Sequence, residues 1–320
     1  ADSKVLEINS KTGLYPLYAA ISIYSVVLNG FIENQAGKYT QEDEKMLWHQ
    51  VISQNVYVVA KTPMAQTITK RTLLGYDDFS GENVRFIDGI VELAKDSTKL
   101  AANRIEKEFD EMKFDVVIGN PPYQESNVGE NRQAKPIYHL FMDMAYQLSD
   151  KSVLITPARF LSNPGRLMES FSNDRLHDRH FKVVMYEPNS DKIFPNTEIK
   201  GGVAITLRDS EKDFGEIGTF IKYAELQPIV EKVMAETTYN MGEFVYSPDS
   251  YRFSDQVFIE HPELVGRTDK SHAKAVASGV FDRYPEIFKD NEFDGAIGVI
   301  GRKDNQRIVK YTKRTYLQNH

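Results

Sequence analysis

The stretch that decides the fold is Phe114-Asp115-Val116-Val117-Ile118-Gly119-Asn120-Pro121-Pro122-Tyr123. Val116, Val117 and Ile118 are all β-branched, which reads as a strand buried on both faces of a parallel sheet. Pro121 and Pro122 have no backbone N–H, so the ladder must stop there and a stiff loop follows Gly119. Open α/β sheets bind ligands at this carboxyl edge. Asn120 offers a side-chain carbonyl acceptor, and the Pro121 carbonyl has no N–H of its own beside it. Two acceptors on a stiff turn suit an exocyclic amino group, and Tyr123 adds a flat face on which a base can stack. A plain strand-end turn with a half-buried tyrosine is the other reading of the same residues.

Asn120-Pro121-Pro122-Tyr123 resembles the catalytic motif of S-adenosylmethionine-dependent amino-methyltransferases, above all the N6-adenine DNA methyltransferases. The chain from about residue 4 to 235 is similar to the methylase part of bacterial restriction–modification enzymes. The resemblance implies an α/β fold, a Rossmann-like methyltransferase sheet of about seven strands. It makes residues 1–235 the catalytic domain and residues 236–320 the start of a DNA target-recognition domain. It also implies S-adenosylmethionine as cofactor, no metal, and Asn120, Pro121, Pro122 and Tyr123 at the catalytic centre.

Upstream, Lys4–Ile8 reads as a strand, Asn9–Gly13 as a turn and Leu14–Leu28 as a helix, the first half of a βαβ unit. By resemblance Glu7, Asn9, Ser10 and Gly13 meet the methionine end of the cofactor, although Asn9 and Ser10 stand where glycine is usual. Residues 29–50 are polar and charged and are expected to pass over the surface. Val56–Ala60 is the next strand, followed by a helix to Gly75. In many relatives an acid ends that strand and accepts both ribose hydroxyls; here Lys61, a donor only, stands near the place. Val84–Gly89 is a third strand, and the resemblance puts Asp88 near the cofactor's adenine amino group; alternatively Asp88 caps the helix that follows. One polar helix is expected over Val91–Glu111.

Downstream, Gln124–Lys135 reads as a loop, Ile137–Tyr146 as a core helix, and Ser152–Pro157 and Phe181–Tyr186 as strands. Phe194, before the Gly201-Gly202 strand, matches the family's second aromatic and would grip the flipped base opposite Tyr123. Ile217–Tyr223 is expected to close the sheet. Beyond residue 235, Gly242–Tyr246 and Tyr251–Phe253 interleave aromatic and polar residues, and the segment reads as an incomplete domain.

Composition sets outer limits on function. The chain has 320 residues, 41% hydrophobic and 27% charged, as in ordinary globular proteins. It has no cysteine, which excludes disulfides and thiolate metal sites. His177 and His180, three apart, have no further ligand nearby in sequence. No apolar run of membrane-spanning length is read, so no membrane partner is expected, and a bacterial cytoplasmic location fits. The net charge of -7 conceals a basic end carrying Arg302, Lys303, Arg307, Lys310, Lys313 and Arg314, candidates for DNA phosphate contact.

The expected function is transfer of methyl from S-adenosylmethionine to the N6 of a flipped adenine in double-stranded DNA, within a restriction–modification system. A nuclease or specificity region in the same or another chain is the expected companion. Two alternatives stand: a non-catalytic DNA-binding module with a decayed methylase core, and an amino-methyltransferase of RNA or protein. Relatives of this motif order carry a helical segment before the first strand. Residues 1–320 are therefore expected to fold as a stable α/β domain, to bind S-adenosylmethionine weakly and to show little or no site-specific methylation, with any DNA binding weakening steeply with salt.

Overall fold

In the computed structural model, β1 (Val5–Ser10) is buried along its whole length. It pairs in parallel with β2 (Val56–Ala60) on one side and β4 (Val116–Gly119) on the other. β3 (Val84–Phe86) extends the sheet beyond β2, and β5 (Lys151–Pro157) lies parallel to β4. Then β6 (Phe181–Glu187) forms the edge and β7 (Val203–Asp209) inserts antiparallel between β5 and β6, giving the order β3-β2-β1-β4-β5-β7-β6. This is a mixed, mostly parallel sheet of seven strands, as expected from the sequence. The structure describes all residues except 1, 36, 77–78, 126–133, 163–164, 166–167, 238–244, 246–249, 268–272, 278, 304–305 and 320.

The reversal of strand order beside β1 opens a crevice at the carboxyl ends of β1 and β4. Gly119 allows the two strands to converge there, because a Cβ on it would lie 2.8 Å from the Ile8 carbonyl oxygen. β4 is less enclosed than expected: Val117 and Gly119 are buried, while Val116 and Ile118 are only half-buried. The doubly buried strands are β1 and β2.

Helices α1 (Leu14–Asn34), α2 (Gln41–Asn55) and α3 (Pro63–Leu74) pack together and enclose a small core with Val56, Val58 and Val84. α2 occupies much of the polar segment at 29–50, for which no helix is read from the sequence. Thr40 and Asp43 form a reciprocal capping box, and Leu47, Val51 and Ile52 give α2 its buried face. Its charged first turn hides that spacing from a reading by polarity. α1 runs six residues beyond the expected Leu28 end and is, by length and composition alone, apolar enough to cross a membrane. Here it packs on α2, α3, β1 and β2.

The expected helix over Val91–Glu111 is two, α4 (Ile90–Asp96) and α5 (Thr98–Glu108). Ser97 adopts an extended conformation between them, and its hydroxyl accepts the Leu100 N–H. α6 (Tyr138–Leu148) buries Phe141, Met142, Met144 and Ala145 in the main core, and α7 (Glu169–Leu176) follows β5. Ile217–Tyr223 forms no strand. Gly215 and Gly218 take left-handed φ of 78° and 60°, the Gly218 N–H bonds to Leu176, and Ile217 and Phe220 pack on the core as a strap.

The chain divides into two compact units at Ala224/Glu225, eleven residues before the expected 235/236 boundary, so α8 (Gln227–Glu236) falls in the second. That unit gathers Phe253, Val257, Phe281, Tyr284, Phe288 and Tyr316 into its own core. It contains β8 (Tyr251–Phe253), α9 (Asp255–Glu260), α10 (Val280–Arg283), the hairpin of β9 (Ala296–Lys303) and β10 (Gln306–Lys313), and β11 (Leu317–Asn319), which pairs with β8. Of the segments read from sequence, most of Gln124–Lys135 and of Gly242–Tyr246 lies outside the described residues.

Candidate active site

Two cavities adjoin at the carboxyl edge of β1, β2 and β4, and both belong wholly to the first unit. The first, about 450 Å³, is lined by apolar side chains including Ile8, Val59, Ile90, Val91, Ile105 and Phe141. The second, about 700 Å³, is lined by Asn120, Pro121, Pro122, Tyr123, Phe194 and Pro157 among others. Pro122, Gln124, Lys61 and Ala134 line both, so the Asn-Pro-Pro-Tyr loop forms the wall between them.

The loop is held at two points. The Asn9 amide donates to the Asn120 backbone carbonyl at 3.5 Å, and the Ile137 N–H donates to the Tyr123 carbonyl at 3.2 Å. Asn9 is buried with φ 69°, a left-handed conformation that asparagine tolerates better than most residues, which accounts for its standing in a glycine's place. The side chains are left open: Asn120 Oδ1 and the Tyr123 hydroxyl are buried with no hydrogen-bond partner. Burial holds the Tyr123 phenol well above its ordinary range. Buried acceptors without partners are rare and costly, so an unmet Asn120 oxygen on a cavity wall marks a place made for a donor.

Tyr123 and Phe194 do meet across the second cavity, but edge to face, with centroids 6.4 Å apart and planes at 70°. Ring quadrupoles favour that arrangement. Parallel plates on both faces of a base would stand ~7 Å apart, twice a ~3.5 Å contact. The sandwich drawn from sequence is therefore not preformed, and one ring must turn to make it.

Among the expected cofactor residues only Asn9 lines the first cavity. Ser10 and Gly13 build the turn beneath it: the Gly13 N–H donates to Ser10 Oγ at 3.2 Å, and Ser10 and Thr69 share a hydrogen bond of 3.2 Å. Glu7 is buried under the same turn at 2% exposure; its Oε2 has no partner, and desolvation raises its carboxyl to about 7. Asp88 lines neither cavity. It is exposed, and its carboxylate accepts the N–H of its neighbour Gly89, while the N-cap of α4 is Gly89, with no side-chain cap hydrogen bond.

Sequence reading missed Glu92 and the Lys95–Glu125 ion pair, 2.7 Å long, all on the first cavity's wall. Lys95 and Glu125 stand thirty residues apart on separate elements, and no local signal joins them. In the second unit, the hairpin sets Arg302 opposite Arg307. Lys310 pairs with Asp290 at 2.5 Å, and Lys313 pairs with Glu260. Arg302, Lys303, Arg307 and Arg314 are exposed.

The fold is a mixed α/β sheet with two adjoining cavities at its carboxyl edge. Residues 54–194, which carry the loop and most of both cavity walls, match the Eco57I restriction-modification methylase family, bearing out the expected kinship with restriction–modification methylases. A Mycoplasma pneumoniae protein described as an uncharacterized adenine-specific methylase is 34% identical over 104 residues. That match spans 32% of this chain and 25% of the relative's length. Among solved structures, the type I restriction–modification methyltransferase subunit of Streptococcus thermophilus is similar at TM-score 0.35 and 14% identity, over 82% of this chain and 53% of that one. The DrdV–DNA complex is similar at TM-score 0.41 and 14% identity, over 76% of this chain and 26% of that one.

Proposed function

We propose that the protein methylates the N6 amino group of adenine in DNA, with S-adenosylmethionine as donor, as part of a restriction–modification system. The observation that carries this reading is the buried, partnerless Asn120 Oδ1 on the wall between two adjoining cavities. An exocyclic amine presented to that oxygen satisfies an acceptor the protein leaves open. The first cavity's apolar walls suit a planar adenine, and Asn9, Glu92 and the Lys95–Glu125 pair add polar groups to its lining, so the residues fit this cofactor.

When bound, the cofactor would supply an electrophilic sulfonium methyl. Adenine's amino lone pair is conjugated into its ring and is a poor nucleophile. Asn120 Oδ1 and the Pro121 carbonyl, by accepting its two N–H groups, favour the pyramidal geometry that frees the lone pair. Tyr123 and Phe194 replace the stacking that the base loses on leaving the duplex. The Lys95–Glu125 pair helps to close the cofactor side. Rate then comes from positioning and fixed dipoles, with no covalent enzyme intermediate.

The second unit, read as the start of a target-recognition domain, contacts DNA phosphate through Arg302, Lys303, Arg307 and Arg314; Lys310 and Lys313 are engaged by carboxylates. A companion nuclease or specificity region and a cytoplasmic location belong to the same reading. Mass spectrometry of nucleosides from duplex DNA treated with the protein and S-adenosylmethionine is the test. N6-methyldeoxyadenosine is the expected product; methyl on cytosine, or none on DNA, rejects the assignment.

A further inference from the structure

The second cavity is lopsided in charge. Lys11, Lys61, Arg159 and Lys200 line it, against Glu198 as its one lining carboxylate among the described residues. A neutral base needs no such field, whereas the nucleotide that carries the base brings a phosphate on each side.

Two of these cations are placed by backbone architecture. Arg159 lies in the short turn Ala158–Leu161 after β5, and Lys200 lies in the turn before β7. The Ala158 N–H donates to the Gly202 carbonyl at 2.9 Å, tying the turns together. Their closeness depends on Gly201 and Gly202, at φ 91° and 82°. A Cβ on Gly201 would lie 2.9 Å from Arg159 Cα, and one on Gly202 would lie 2.4 Å from the Glu187 carbonyl oxygen. Gly201 thus brings the turn that carries Lys200 against Arg159, and both residues line the cavity. Both side chains are exposed, and Phe194 lines the same cavity from the segment leading into Lys200.

Across the cavity, Lys11 and Lys61 repel: burial and the Lys61 charge both lower the Lys11 ammonium, and Glu7 offsets this only in part. An anion in the cavity relieves that repulsion.

We infer that Arg159 and Lys200 form a phosphate seat on the rim of the base cavity, holding the phosphodiester beside the extruded nucleotide. This rests on the reading of the second cavity as the target-base site. Arg159 and Lys200 are positioning residues in it: they hold the backbone while Asn120 and Tyr123 receive the base. The fork of Arg159 fits two phosphate oxygens and Lys200 adds a point charge.

The test measures binding of 2′-deoxyadenosine, its 5′-monophosphate, its 3′-monophosphate and inorganic phosphate to the whole chain, by ligand-observed NMR at low salt. At least one monophosphate is expected to bind on the order of fivefold more tightly than the nucleoside, and inorganic phosphate far more weakly than either. Arg159→Gln and Lys200→Met should erase the phosphate increment and leave nucleoside affinity unchanged, while Lys200→Arg should keep it. Equal binding of nucleoside and nucleotides by the wild-type chain overturns the phosphate seat and leaves the base cavity standing. Inorganic phosphate binding as tightly as the nucleotide also overturns it, since the site would then hold any anion. If neither nucleoside nor nucleotide binds, both the seat and the base-cavity reading fall.

Discussion

The loops that end β1 and β4 lie side by side on adjacent parallel strands, and they treat their polar atoms in opposite ways. In the first turn most donors and acceptors are satisfied. Ser10 Oγ serves Gly13 and Thr69, the Lys61 N–H donates to the Ser10 carbonyl at 2.8 Å, and Thr72 Oγ1 donates to the Thr12 carbonyl at 2.6 Å. In the second, the backbone is fastened while Asn120 Oδ1 and the Tyr123 hydroxyl are left unmet. A closed hydrogen-bond network rigidifies; an open one marks where the protein stores binding capacity for a substrate. Glu7 is the exception within the first loop, a buried carboxyl with an orphan oxygen beneath a satisfied turn.

The contrast is broken or sharpened most strongly at Asn120. Asn120→Ala should lower methyl-transfer turnover by roughly 10² or more, because the lost acceptor acts mainly in the transition state. The thermal midpoint should not fall, since the alanine removes a buried unmet acceptor. Steady-state turnover and a thermal melt on the same sample test both halves. Normal turnover would place the second loop among structural turns like the first.

Glu7→Gln comes next. A carboxyl raised by burial to about 7 favours the folded state while it is protonated. Its contribution is complete below its unfolded value of 4.5 and is lost as pH rises through about 7. Relative to Glu7→Gln, the wild type should lose roughly 3 kcal/mol of stability across that window. Urea unfolding at pH 4.5, 6 and 8 would measure it, and parallel curves would show that Glu7 has a partner after all.

Tyr123→Ala should cost about 1–3 kcal/mol of stacking with an extruded base. A fluorescent base analogue at the target position reads that loss directly, and an unchanged signal removes Tyr123 from the base site. The smallest effect is expected at Ser10→Ala, which deletes hydrogen bonds in the satisfied turn. Stability should fall by about 1 kcal/mol in a thermal melt, with turnover per folded molecule changing little. A large turnover defect there would blur the division between the loops.

How far the sequence could be read depends on the distance over which each feature is decided. The strand at Val116–Gly119, the stop at Pro121-Pro122 and the loop chemistry of Asn120 and Tyr123 follow from β-branching, missing N–H donors and side-chain type. All of that is local. β2, α3, β5 and α6 were legible for the same reason. α2 was hidden by a charged first turn, although its Thr40–Asp43 capping box stands in the sequence. Asp88 is ambiguous in sequence because an acid after a strand can serve as a helix cap or as a ligand acceptor; in the structure it is exposed, lines neither cavity and accepts the Gly89 N–H.

The sequence by itself thus determined the Asn-Pro-Pro-Tyr loop and the kind of sheet that could carry it. Tertiary structure alone decided that the loop divides two cavities, that Tyr123 and Phe194 stand edge to face, and that Lys95 reaches Glu125. It alone set the Gly201 turn against Arg159, with Lys200 lining the same cavity, and it left one Glu7 oxygen buried and unmet. Each of these joins residues from separate elements, and strand order and backbone packing, not local propensity, set which elements meet.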